Sequence, residues 1–223
     1  MAYFVTLTLD EEQTLDPEFE GGNPNLRRNI DVRGNLLRGV DLRFCLTSHV
    51  RVPPILLGSV PTRIIVKPAE SDHLPDFGFA PWGGWKLVSH AFMNLVERLE
   101  PGAHEFLPIS ETLDQQGRLV DKRFFLMNIL QQFNAVDAEQ STVKINEHHH
   151  SSVTNGKKLE FAYQTMRLVG PRKLTLKRAL VAGHHLWHGT TEDIYHVFFS
   201  DALHHAVHAA NLSPLNYFYA EEV

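Results

Sequence analysis

Apolar residues along this chain fall into short runs divided by turn signals, and two of those runs switch to helical spacing. Tyr3 to Leu9 (YFVTLTL), aromatic and β-branched, predicts an opening strand. Val40 to Leu46 and Thr62 to Lys67 (TRIIVK) predict two more, set apart by turn residues around Pro53 and Gly58. Trp85 to Val88 is a further short strand, after which Ser89 stands in N-cap position. Phe92, Leu95, Val96 and Leu99 then recur at i, i+3, i+4 and i+7, one apolar stripe on a helix of about three turns. Pro101-Gly102 ends it. His104 to Ile109, Arg123 to Leu130, Ser141 to Ile145 and Leu159 to Val169 predict strands, although the residues from Asn128 onward also fit a helix.

The last thirty residues repeat the earlier unit. Ile194 to Phe199 (IYHVFF) predicts a strand, Ser200 caps, and Leu203, Ala206, Val207 and Ala210 form the stripe. Asn211, Ser213 and Pro214 stop the helix, and Asn216 to Tyr219 returns as a strand. Placing Ser89 on Ser200 puts Phe92 on Leu203, Leu95 on Ala206, Val96 on Val207 and Leu99 on Ala210, and one inserted residue brings Phe106 onto Phe218. The expected fold is a single α+β domain of mixed and antiparallel strands, with two similar strand-helix-strand modules and few short helices. The runs are too short and too irregular in order for a doubly wound parallel sheet. Residues 68–84, with Pro75, Pro81 and three glycines, are the expected seam between an N-terminal strand and loop part (1–80) packed on the same domain and the main body (81–223).

Composition narrows the function. The net charge of -5, from 21 basic and 26 acidic side chains, argues against a nucleic-acid binder, which needs a basic face. A lone cysteine, Cys45, excludes an internal disulfide framework and a thiolate zinc site, and in RFCLT it reads as a buried inert thiol. The opening MAYFVTLTLDEEQ lacks the basic segment of a secretory signal, and no run approaches the roughly 20 apolar residues that span a bilayer. A cytoplasmic protein with no membrane partner is expected, and its oligomeric state is not legible.

Candidate chemistry is sparse. In GHHLWHG (Gly183 to Gly189), His184 and His188 have the four-residue spacing of a helical zinc site. The position that should carry the glutamate base holds His185, however, and the flanking glycines and Trp187 suit a strand or turn. A metal-dependent hydrolase built on His184, His185 and His188 is therefore the rival reading. His148, His149 and His150, in NEHHHSSVTNG, are expected in a solvated loop. His204, His205 and His208 fall on or beside one helical face and could form a pH-sensitive partner surface. Neither a G-x-S-x-G, a P-loop, a dinucleotide fingerprint nor a carboxylate pair is present, so no catalytic residue, metal or cofactor is expected. Charge is segregated instead. Six acids lie between Asp10 and Glu20, whereas Lys157 to Arg178 holds seven bases against Glu160 alone. An acidic segment of this kind can steer a basic partner.

Three blocks carry a resemblance: WKLVSHAFMNLVERLEPGAHEFLPI, FFLMNILQQFNAVD and AGHHLWHGTTEDIYHVFFSDALHHAVHAANLSPLNYF. In this order they resemble immunity family eleven of the bacterial polymorphic-toxin systems, formerly a domain of unknown function. They cover Trp85 to Pro108, Phe124 to Asp137 and Gly183 to Phe218. Trp85, Ser89, Pro101, Gly102, Gly183, His185, Leu186, Trp187, Ser200 and Asp201 match its motif positions and imply scaffold. The chain departs from the family at His188, where arginine is common; a titratable group there replaces a fixed cation. The resemblance implies a cytoplasmic antidote that binds and occludes a cognate toxin delivered by a type VI or contact-dependent apparatus, without turnover; an adaptor that carries the toxin is a further alternative. Specificity is then expected in loops. The first choice is the acidic segment Asp10, Glu11, Glu12, Asp16, Glu18 and Glu20; the second is the aromatic segment Phe77, Phe79 and Trp82.

Overall fold

The computed structural model describes residues 1–6, 18–20, 36–37, 40–41, 51–52, 57, 60–66, 75–79, 85–114, 116–154, 157–168, 173–189, 197–213 and 215–223. Its strands are β1 (Ala2–Thr6), β2 (Glu18–Glu20), β3 (Leu36–Leu37), β4 (Val40–Asp41), β5 (Arg63–Val66), β6 (Phe77–Phe79), β7 (Lys86–Ser89), β8 (Glu105–Pro108), β9 (Glu111–Asp114), β10 (Phe124–Asn128), β11 (Gln132–Phe133), β12 (Val143–Thr154), β13 (Lys157–Leu168), β14 (Thr175–Leu176), β15 (Leu186–Gly189), β16 (Val197–Ser200) and β17 (Asn216–Glu222). The helices among the described residues are α1 (His90–Leu99), α2 (Arg178–Val181) and α3 (Asp201–Ala209). The fold is α+β, as the short irregular runs predict.

Two sheets dominate, and they share one plan. The four-stranded sheet runs β6-β7-β10-β8, and β15-β16-β1-β17 forms the middle of the six-stranded sheet. In each, a strand leads directly into a helix (β7 into α1, β16 into α3), and the chain returns as a strand parallel to the first. An antiparallel strand lies between the two (β10 or β1), and a short antiparallel partner flanks the first (β6 or β15). Each module is thus a split β-α-β unit, the repeat visible in the sequence. The central strands come from unlike places: β10 follows its module along the chain, whereas β1 precedes its module by nearly the whole chain. Register corrects one pairing of the sequence alignment. Phe106 lies opposite Met127, and its counterpart opposite Val5 is Tyr217, not Phe218, so the modules superimpose without an insertion.

The helices begin where the serines predict. The Ser89 hydroxyl accepts from Phe92 N–H at 3.2 Å, and Ser200 accepts from Leu203 N–H at the same distance. Each cap satisfies one donor that the first helical turn leaves open. The apolar stripes face one another. Phe92, Leu95 and Val96 of α1 and Leu203 and Val207 of α3 are buried in one core with Val5, Phe77, Val88, Met127, Leu186 and Phe199. Leu99 and Ala206 pack at its margin. Ala210 is exposed, because α3 ends at Ala209 and Asn211 takes a left-handed turn (φ 49°). A second core on the other face of the six-stranded sheet gathers Ala135, Leu174, Leu176, Val181, Trp187 and Phe198.

Two expectations are corrected. The chain after Asn128 is extended, forming β11 alongside β15. The histidine triplet is not in a loop: His148 to His150 lie in β12, paired in register with Tyr163, Ala162 and Phe161 of β13. β12 and β13 pair along the whole length of two 12-residue strands, and the sequence between them, Asn155-Gly156, is the dipeptide most favoured for a two-residue hairpin turn. Most of the expected strand Val40 to Leu46, Cys45 included, lies outside the described residues, as does most of the seam at 68–84.

Replacing either cap serine by alanine should cost about 1 kcal/mol in urea unfolding. Ser89→Ala should cost more than Ser200→Ala, because Ser89 is buried and Ser200 half-buried. Equal losses would show that the modules depend on their caps alike.

Candidate functional site

The signature blocks converge on the seam where the two modules meet. Glu100, the residue after α1, is buried, yet its carboxylate reaches the other module: Oε2 accepts from Leu186 N–H at 3.0 Å, and Oε1 accepts from Gln131 Nε2 at 3.1 Å. His104 Nε2 and His184 Nδ1 flank it, each at 3.5 Å. Burial pushes the Glu100 carboxyl up, but His104, the backbone of the 185 region and Gln131 outweigh that and hold it below its ordinary 4.5.

The opposite corner carries a matching tie. Asp76, just before β6, accepts at Oδ2 from the Ser213 N–H and hydroxyl, both at 2.9 Å, and its own N–H donates to Ser213 Oγ at 3.1 Å. Lys122 Nζ lies 3.0 Å from Oδ1. Burial raises this carboxyl, whereas Ser89, Ser213 and Lys122 lower it, and lowering wins. So the segment after α1 grips the start of β15, and the start of β6 grips the segment after α3. The carboxylate sits on the first module in both ties.

His185 explains itself by the same symmetry. Its Nδ1 lies 2.7 Å from Ser200 Oγ, a separation that invites a nucleophile-and-base reading. The equivalent position in the first module is Asp76, which accepts from the equivalent cap, Ser89. Both strand-start backbones also accept from their cap: Ser200 N–H donates to the His185 carbonyl and Ser89 N–H to that of Asp76, each at 2.9 Å. An imidazole in one module and a carboxylate in the other steady the same kind of N-cap, which is an architectural task. His184 turns instead to Glu100 and stacks near Phe133 (4.5 Å between centroids). His188 is buried on β15, its N–H bonded to the Gln131 carbonyl. Because Leu186–Gly189 is a strand, His184 and His188 do not share the helical face that a zinc pair at this spacing requires. Among the described residues no group of three or more His, Cys, Asp or Glu is placed to hold a metal ion.

The other motif residues serve the frame. Trp85 and Trp187 are almost wholly buried, and Trp187 stacks on Phe198 with the rings 4° from parallel. Gly102 and Gly183 adopt left-handed backbone (φ 68° and 82°), which glycine takes without strain. Pro101 precedes the first of these, and Asp201 opens α3 with its N–H on the Met1 carbonyl.

The expected docking residues are placed unevenly. Phe77 is a core residue, 2% exposed and 5.0 Å from the Phe92 ring, so it is no surface anchor: β6 turns it inward. Phe79 ends β6, whereas Trp82, Asp10, Glu11, Glu12 and Asp16 lie outside the described residues. Glu18 and Glu20 occupy alternate positions on β2, an edge of the three-stranded sheet β2-β5-β9. No helix among the described residues is long and apolar enough to cross a membrane. The seam carboxylates were missed in the sequence because Glu100 and Asp76 look like ordinary helix-end and loop acids.

Glu100→Gln should destabilise the fold at pH 7 by about 3 kcal/mol, the usual cost of breaking a buried charged network. Because the folded carboxyl sits below 4.5, its contribution is complete above that pH and fades as acid protonates the folded state. The deficit of the variant, followed by guanidinium unfolding, should therefore shrink below about pH 4. A deficit constant with pH would assign Glu100 a packing role only.

No curated protein sequence matches this chain. The family described as Immunity protein family (Imm11) matches residues 14–222. That match takes in the first module, all of the second except its central strand β1, and nearly the whole chain, so the protein belongs to the Imm11 immunity protein family.

Proposed function

We propose that this protein neutralises a cognate secreted bacterial toxin by binding and occluding it, without turnover, in the cytoplasm of the cell it protects. The observation that carries the reading is the family match over 14–222. The duplicated architecture supports it. The Ser200–His185 pair, which has the spacing of a nucleophile and base, is matched in the sister module by a serine–aspartate pair with the same capping task. Delivery of the toxin by a type VI or contact-dependent apparatus belongs to the same reading.

Occlusion of this kind uses about 800 Å² on each partner, concentrated on a few anchors. The acidic segment Asp10 to Glu20 is our first choice for the contact, and Phe79 and Trp82 are the second. Glu18 and Glu20 lie two apart on the edge strand β2. A basic toxin surface meeting six clustered carboxylates would associate quickly and with strong salt dependence.

Co-expression with the toxin of a neighbouring reading frame should restore growth, and the purified pair should elute as one complex. Growth arrest despite complex formation would make the protein an adaptor. Reversing Asp10, Glu11 and Glu12 to lysine should slow association about tenfold or more at low salt. Unchanged association and protection would move the contact elsewhere.

A further inference from the structure

α3 carries chemistry that its sister helix lacks. His204 and His208 sit one turn apart, and their Nε2 atoms approach to 3.1 Å. The His204 ring is clamped: it stacks on Tyr3 at 3.9 Å between centroids and 14° from parallel, and Tyr217 meets it edge-on at 4.4 Å. Tyr217 also borders His208, at 5.5 Å. Asp201 is drawn to His205 (3.4 Å) and to the Tyr3 hydroxyl, so the carboxylate of this helix is engaged to the side of the pair.

The duplication provides an internal comparison. The residues of the first module equivalent to His204, His208, Tyr3 and Tyr217 are Met93, Glu97, Phe125 and Phe106. A thioether, a carboxylate and two phenyl rings therefore meet the same architectural demands, and the fold does not call for two facing imidazoles. A separation of 3.1 Å is the distance between two nitrogens bound to one ion at about 2.0–2.1 Å, with an angle at the metal of about 95–100°. That angle suits adjacent positions of a square-planar or octahedral ion and a slightly compressed tetrahedron.

We propose that His204 and His208 form a two-nitrogen chelate for a divalent first-row transition metal of the zinc, nickel and copper class. His204 is the fixed ligand, held by Tyr3 and Tyr217. His208, exposed on the next turn, is the adjustable one, and the remaining coordination positions face solvent. The site is distinct from the His184, His185 and His188 block, in which His184 serves the module seam and His185 the cap of α3.

The test uses the full chain without an affinity tag, with His148, His149 and His150 changed to asparagine so that the ribbon does not compete. Titration with Zn(II) and with Cu(II), followed by calorimetry and by thermal unfolding, should show one saturable site and a rise in Tm with ion concentration. In that background His208→Ala should weaken binding at least about tenfold, since loss of even an outer-shell partner of a ligand costs about 10–100-fold. His205→Ala, which removes an adjacent imidazole outside the chelate, should leave the affinity unchanged. No saturable binding by the parent, or equal affinity in His208→Ala and His205→Ala, would overturn the proposal. Both substituted residues are exposed, and circular dichroism checks that each variant keeps the fold.

Discussion

Two carboxylates taken out of water fix how the two halves of this molecule meet. Glu100 and Asp76 each leave the solvent at a module boundary, and each is satisfied by backbone and side-chain donors of the opposite module. An ion buried so far costs several kcal/mol unless its lone pairs are met, so any shift of the modules that breaks a tie while the carboxylate stays buried incurs that cost. The apolar core between α1 and α3 supplies most of the cohesion, but it is non-directional. The carboxylates supply the direction: they specify which end of each helix meets which strand.

The ties also explain why the signature blocks fall where they do. Gly183, His184, His185 and Leu186 form the receiving end of the Glu100 tie, and Ser89 and Ser213 belong to the Asp76 tie. Residues that look like a potential active site in the sequence are employed in joining two halves of a scaffold. A rigid frame of this sort suits a protein whose partner is recognised by shape and charge, because loops carried on it can change without disturbing the joint.

Much of this was legible in the chain. Ser89 and Ser200 announced both helices because a cap hydroxyl followed by 3.6-residue spacing has few other meanings, and the repeat itself was visible in their stripes. Partner choice was not. Nothing local says that β1 inserts between β16 and β17, because sheet order depends on non-local pairing. Phe77 looks like a loop aromatic for a related reason: its burial is decided by Phe92, on the next helix, and by Phe199, near the far end of the chain. The polarity of His148 to His150 suggests a loop, whereas the Asn155-Gly156 turn signal that follows them in the sequence suggests a hairpin. The facing of His204 and His208 followed from helix periodicity, but the Tyr3 clamp on it did not.

The placement of β1 has a consequence for how the protein is made. Ala2–Thr6 is the opening segment of the sequence, yet both of its neighbours in the sheet, β16 and β17, lie at the far end. As the polypeptide leaves the ribosome, the module built around β10 can close early, because all of its strands lie within residues 77–128. The other module waits with its middle strand already synthesised and unpaired. An aromatic, β-branched segment left open for that interval is exposed to wrong partners, which makes the second module the slow and vulnerable half of assembly.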